Sequence, residues 1–298
     1  MDGFPTMELP LNSGQFLDQY CIEEEIGQLQ SGSLTHIYHA RDLRNDQEVA
    51  LKVLALRMDR THPANHALER FVREIQVMQQ LAHPHVMPVL SSGANEYYHW
   101  MVMPYCPKKT LAHYLKLRNN VPLPIREACE YATQICAALT LAHSQEPPII
   151  HRDIKPHNML FTDDYQLLLA DFGIAHILNE THLTLYDKAI GTPEYMAPEQ
   201  FRPRDAGDAE AIDARLDVYA LGCVLYELLA GQPPFVGDAP HAIAMAQVRS
   251  MPRLLSTRNS AINLGLALIV HRALAKDPDD RYASAAEFAQ RLKPFLEE

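Results

Sequence analysis

The chain has 298 residues, 47% of them hydrophobic and 21% charged, with a formal net charge of −11. That length and mix suit a soluble globular protein built as one large domain or two lobes. The acidic balance speaks against nucleic acid or an anionic membrane surface as partner, since both call for clustered Lys and Arg.

Taken in chain order, residues 1–17 have neither a basic start nor an apolar stretch, and they are expected to form a flexible leader rather than a signal peptide. Apolar positions in Tyr20-Cys21-Ile22, Ile37-Tyr38 and the run 49–54 predict three strands, separated by the turn formers Gly27, Gly32 and Asn45-Asp46. Leu68, Phe71, Val72, Ile75, Met78 and Leu81 then recur at three- and four-residue spacing, the stripe of an amphipathic helix that His83-Pro84 ends. Two further strands are expected around 86–90 and 100–103. Beyond Tyr105 the pattern turns helical. Helices are predicted over 126–144, over the strongly apolar 216–230 with Gly231 just past its end, and over 261–275 and 284–296. The apolar run 218–230 is interrupted by Glu227 and falls short of the roughly 20 residues a membrane span needs. Five scattered cysteines with no Cys-x-x-Cys point to reduced thiols and a cytoplasmic location. His62 and His66 are spaced to ligate metal on a helix, but without a third ligand nearby they are taken as solvated.

Between the helices at 126–144 and 216–230 stands His151-Arg152-Asp153-Ile154-Lys155-Pro156-His157-Asn158, with Asp171-Phe172-Gly173 a short interval on. Phosphoryl transfer needs a carboxylate to hold the attacking hydroxyl, a cation near the moving phosphate, and ligands for a metal that neutralises its oxygens. Asp153 can accept the hydroxyl proton, Lys155 can meet the phosphate, and Asn158 and Asp171 can hold Mg²⁺. A lone His-Arg-Asp is usually solvated surface. Two signatures in the right order, with the asparagine correctly spaced, leave that reading little room.

The strings resemble the H-R-D-x-x-x-x-N and D-F-G motifs of protein kinases. The chain as a whole resembles a eukaryotic-like (Hanks-type) serine/threonine protein kinase, most like bacterial members in the stretches 170–175 and 191–200. The resemblance implies an α+β bilobal fold. A β-rich N-lobe with one main helix would occupy about 18–103, a hinge 104–107, and a mostly helical C-lobe about 108–298. It implies ATP and Mg²⁺ as cofactors, with Mn²⁺ as a substitute ion, and a protein substrate carrying Ser or Thr. Lys155 resembles the serine/threonine class rather than the tyrosine class. His157 stands where arginine-directed members carry glutamate, so a strict arginine preference is not expected.

Further roles follow from the same likeness. Lys52 in Val49-Ala50-Leu51-Lys52 matches the lysine that contacts the α- and β-phosphates, and Glu74 its helix partner. Met103, Pro104 and Cys106 match the hinge, with adenine contacts from the backbone of Pro104 and Cys106. Ile37, Ala50 and Leu160 match the apolar walls around adenine. Thr192 matches the hydroxyl that bonds the catalytic Asp and Lys. Glu199 in Ala197-Pro198-Glu199 is expected to pair with Arg281, and Asp217 to brace the catalytic loop. Arg152 suggests control by phosphate on the activation segment, with Thr181 and Thr184 the best candidates and Tyr186 a weaker one. Members of the family often pair transiently to phosphorylate each other.

The glycine-rich loop departs from G-x-G-x-x-G-x-V, because only Gly27 and Gly32 are present. In one register Gly27 and Gly32 are the first and third glycines and Leu29 replaces the second. In the other, which is preferred, Gly32 is the middle glycine, Gln30 and Thr35 replace its neighbours, and three residues are inserted after Gly27. Either register predicts a wider or stiffer loop and weaker ATP binding. The alternative to an active kinase is therefore a kinase-fold nucleotide-binding or scaffolding module with low turnover. A small-molecule phosphotransferase of related fold is weakened by the complete 191–199 segment.

Overall fold

A computed structural model describes residues 10–28, 34–56, 64–172, 192–201 and 213–297. Met1–Ala82 with Met87–Pro107 form one compact unit, and His83–Val86 with Lys108–Glu298 a second. Gly32, His62, Thr181, Thr184 and Tyr186 lie outside the described residues.

The first unit is an antiparallel sheet with one long helix. Its strands are β1 (Phe16–Leu17), β2 (Tyr20–Gln28), β3 (Thr35–Asp42), β4 (Gln47–Ala55), β5 (Ser91–Ala94) and β6 (Tyr98–Pro104), in the order β1-β2-β3-β4-β6-β5. Helix α1 spans Ala64–Gln80. Strict alternation sorts the strands into two faces. Tyr38 and Ala40, Val49, Leu51 and Val53, and Trp100 and Val102 enter one apolar core with Tyr20 and Ile22. The residues between them, Ile37, His39, Ala50, Lys52, Met101 and Met103, are left on the other face. The ladders set Ile37 opposite Lys52, His39 opposite Ala50, Ala50 opposite Met103 and Lys52 opposite Met101.

Two expectations change here. The leader is not free through residue 17. Leu11 and Leu17 are buried in the core, the Leu11 amide donates to the Tyr38 hydroxyl at 3.0 Å, and Phe16 and Leu17 pair with Cys21 and Tyr20. Two apolar side chains spaced to reach one core outweigh the polar residues around them. Residues 86–90 are not a strand either. Val86 makes only an isolated bridge to Leu169, and the strand begins at Ser91. Pro88 lacks the N–H a ladder needs.

The second unit is mainly helical: α2 (Leu111–Leu117), α3 (Ile125–His143), α4 (Arg215–Ala230), α5 (Pro240–Arg249), α6 (Leu255–Arg258), α7 (Leu264–Ala273) and α8 (Ala285–Leu292), with a hairpin of β7 (Met159–Phe161) and β8 (Leu167–Leu169). Helix α4 is apolar nearly all round and so lies inside, packed on α3, α6, α7 and α8. It stops at Gly231, whose φ of 77° is one that a side chain resists. Residues 83–86 belong with this unit rather than with the first. The Leu169 amide donates to the His85 carbonyl at 2.9 Å, and His85 Nδ1 bonds the Leu167 carbonyl at 3.0 Å.

Candidate active site

Lys52 projects from the inner strand β4 with its side chain only 4% exposed. A bare ammonium at that depth would be costly. Glu74 Oε1 stands 2.6 Å from Lys52 Nζ, so α1 delivers the counter-charge that the strand requires. Ile37, Ala50 and Met103 share the Lys52 face of the sheet, as their ladder positions dictate. Pro104 pairs with Val49 at the end of β6, and Cys106 is buried just beyond it. Gly27 is registered opposite Ile37, ten residues on. The glycine-rich pattern puts its valine seven residues on from its first glycine. The β2–β3 hairpin is thus about three residues longer than the pattern.

The second unit gathers the catalytic string. Lys155 Nζ reaches Asp153 Oδ2 at 2.7 Å, and Asn158 Nδ2 donates to the Asp153 carbonyl at 2.8 Å and to Oδ2 at 3.0 Å. One carboxylate oxygen is therefore doubly held. Asp153 Oδ1 makes no hydrogen bond among the described residues. Asn158 is buried and uses its NH₂ on Asp153, which leaves its carbonyl oxygen as its ligand atom. Leu160 sits on β7, paired with Leu168. Asp171 follows β8 with φ at 55°, a left-handed backbone uncommon outside glycine.

The loop is fixed from beneath by Asp217 on α4. Its fully buried carboxylate accepts from the backbone amides of His151 and Arg152 and from His143 Nε2, each at 2.8 Å. Burial alone would push this carboxyl up. The hydrogen bond from His143, first, and that from the Arg152 amide hold it below the ordinary carboxylate range. Arg152 is itself left-handed at φ 67°, a turn that its amide bond to Asp217 and the bond from Gln200 to its carbonyl both secure. His151 is fully buried, and that burial pushes its imidazole down to the neutral form. Its Nε2 donates to the Ala170 carbonyl at 3.0 Å, which leaves Nδ1 to accept from the Asp153 amide at 3.3 Å. The ring also packs against Phe172, 4.7 Å between centroids.

Glu199 and Arg281 meet as a two-pronged pair, 2.7 and 2.8 Å. Thr192 does not act as expected, because among the described residues its hydroxyl bonds neither Asp153 nor Lys155.

Three contributors escaped the sequence reading: His143, Gln200 and Glu227. Each lies far along the chain from its partner, and a single polar residue on a helix carries no mark of its role. Glu227 accepts from the Tyr195 hydroxyl at 2.6 Å. Burial pushes its carboxyl up to about 7 from its ordinary 4.5; the Tyr195 hydroxyl opposes the rise and the charge of Glu194 adds to it. In the fold the group stays protonated while the unfolded chain ionises. Its contribution is intact below pH 4.5 and is lost as pH rises to about 7. At this half-buried position the loss is about 2 kcal/mol after allowing for solvent. Glu227→Gln is therefore expected to match the parent in urea denaturation near pH 4.5 and to exceed it by about that amount at pH 8. A variant less stable than the parent at pH 8 would contradict this.

Residues 20–292 match the protein kinase domain, and the chain belongs to that family. It is a Hanks-type kinase domain similar to bacterial serine/threonine kinases. It is 38% identical over 280 residues to serine/threonine-protein kinase PknB of Mycobacterium leprae, covering 92% of this chain and 42% of that protein. With the probable serine/threonine-protein kinase SCO3848 of Streptomyces coelicolor it shares 38% over 272 residues, 89% of this chain and 38% of that one. With the probable kinase PknB of Lactococcus lactis the figures are 36% over 274 residues, 91% and 41%. The chain spans about two fifths of the length of these relatives. No helix among the described residues is long and apolar enough to cross a membrane.

Proposed function

We propose that the chain is the catalytic domain of a serine/threonine protein kinase that transfers the γ-phosphoryl group of ATP to Ser or Thr hydroxyls of proteins. The carboxylate of Asp153, with Oδ2 held by Lys155 and Asn158 and Oδ1 left open, is the observation that carries this reading. Asp153 takes the hydroxyl proton as the bond from substrate oxygen to phosphorus forms and the bond from phosphorus to ADP breaks. Lys155 meets the negative charge of the group in flight. Lys52 binds the α- and β-phosphates, positioned by Glu74, while Ile37, Ala50, Met103, Leu160 and the backbone of Pro104 and Cys106 receive adenine.

The carbonyl of Asn158 and the carboxylate of Asp171 are hard oxygen donors. They fit Mg²⁺, or Mn²⁺ in its place, which takes oxygen ligands and keeps several waters. When bound, the ion supplies charge neutralisation at the phosphate oxygens. Thr181 and Thr184 are the expected sites of autophosphorylation, made between two transiently paired copies, with Arg152 receiving the phosphate. Partners are proteins rather than nucleic acid, and the domain acts in the cytoplasm. The longer β2–β3 hairpin favours one second reading, a nucleotide-binding module of low turnover.

Intact mass of the purified chain after incubation with Mg²⁺ and ATP separates the two. Added phosphates that map to Thr181 or Thr184, absent from a control without ATP, are expected. If no mass is gained and a threonine-containing protein substrate also stays unmodified, the low-turnover module takes precedence.

A further inference from the structure

The sheet face that carries Ile37, Ala50 and Lys52 also holds a group that the kinase reading does not use. His39 lies directly opposite Ala50, and Glu48 lies opposite Arg41 in the same ladder, so Glu48 is the diagonal neighbour of His39 on one face. Glu23 falls between Ile22, paired with Ala40, and Glu24, paired with His39; it is the extra residue of a β-bulge. Bulges re-aim a side chain. Here the bulge brings Glu23 Oε2 to 3.4 Å from His39 Nδ1, while Glu48 Oε1 stands 3.4 Å from His39 Nε2. One ligand atom from each of the three residues lies within 4.8 Å of the others.

His39 is 7% exposed, and its Nε2 is shielded from solvent yet makes no hydrogen bond. Such a buried nitrogen calls for a partner. Its ring is clamped by Tyr105, stacked at 3.9 Å between centroids and 14° between planes. The nearby cation, Arg41, binds Glu23 Oε1 at 2.9 Å and Asp46 at 3.1 Å, and so leaves Oε2 turned to the ring.

We propose that Glu23, His39 and Glu48 form a binding site for a divalent transition ion of the zinc class. One imidazole and two carboxylates are a ligand set that zinc accepts, with water in an open position; Mg²⁺ and Ca²⁺ prefer oxygen alone. Four-coordinate ligands about 2.0–2.1 Å from an ion stand roughly 3.3 Å from each other, close to the separation of His39 Nε2 and Glu48 Oε1. Glu23 and Glu48, with side chains 32% and 52% exposed, have the freedom to close the remaining gap.

The probes are Zn²⁺ alone, by calorimetry, and Co²⁺ alone, by its visible absorption, each added to the chelator-stripped full chain. One equivalent bound, with the intense band of a tetrahedral cobalt site, is expected. His39→Gln and Glu48→Gln should each lose at least tenfold in affinity together with the cobalt band. Circular dichroism and the Tm of the metal-free variants check the fold. If His39→Gln does not fold, the exposed Glu48→Gln decides alone. The proposal fails if the wild type takes up no zinc, or if a folded Glu48→Gln binds it as tightly as the wild type, the ion then belonging to others of the 15 histidines.

Discussion

Asp153→Asn should lower kcat by about 10²–10⁴-fold with the KM for ATP little changed. The substitution is nearly isosteric. An asparagine oxygen in the place of Oδ2 still accepts from Lys155 and Asn158, which now donate at 2.7 and 3.0 Å. The new NH₂ then replaces Oδ1, the oxygen that no described residue occupies, and a proton acceptor becomes a donor. The exchange thus removes a base without moving the loop, and the loss should fall on kcat because the lost interaction arises only as the hydroxyl proton departs. Steady-state kinetics on a threonine-containing protein substrate, with Tm as the control for folding, read this directly. A variant with an unchanged Tm and kcat within tenfold of the parent would remove Asp153 from the proton-accepting role.

The second large effect concerns stability. The Arg281 side chain is 0% exposed. Beyond the fork to Glu199, it donates to the carbonyls of Ala275, Arg215 and Lys276 at 2.8, 3.1 and 3.3 Å, and it lies 4.8 Å from the centre of the Tyr219 ring. Removing the carboxylate strands a guanidinium where water cannot reach it. Glu199→Leu should therefore cost about 3–5 kcal/mol, which in a chain of this size is a fall in Tm of roughly 10 °C. Arg281→Met should be comparably damaging, since Glu199 and the three carbonyls then lose their donor. The double variant should be less damaged than the sum of the singles, because no unpaired charge remains. Thermal unfolding of the four proteins gives the cycle; strict additivity would mean that the pair does not act as a unit.

How much of this was legible in the sequence depended on distance along the chain. Asp153, Lys155 and Asn158 fall within six positions, so their chemistry could be read from one string. Strands β3 and β4 declared themselves by apolar positions bounded by turn formers, and Lys52 stood out as a charge on an inner strand. The long helices α3 and α4 were clear from their apolar spacing to within a residue or two. Contacts that only the fold creates were not visible. His143 lies 74 residues from Asp217, and the Glu23–His39–Glu48 group depends on a bulge and two ladder registers. Leu11 and Leu17 read as leader residues because the apolar side chains of residues 1–17 show no period. Strand β5, Ser-Ser-Gly-Ala, has almost no apolar content and takes its place through pairing with β6. The Thr192 expectation rested on the resemblance alone, and among the described residues no hydrogen bond to Asp153 or Lys155 accompanies it.

The interruption of the first unit by residues 83–86 constrains the order in which a growing chain can settle. Strand β4 has β3 on one side and β6 on the other. While synthesis has reached only the end of α1, β4 is an open edge with its N–H and C=O groups unpaired, a surface prone to wrong pairing. The edge is covered only after Tyr98–Pro104 has emerged. The anchor of 83–86 comes later still, because its partners Leu167 and Leu169 are made more than 80 residues afterwards. A nascent fragment ending near residue 85 should therefore be a substrate for chaperones, and one ending beyond residue 107 much less so.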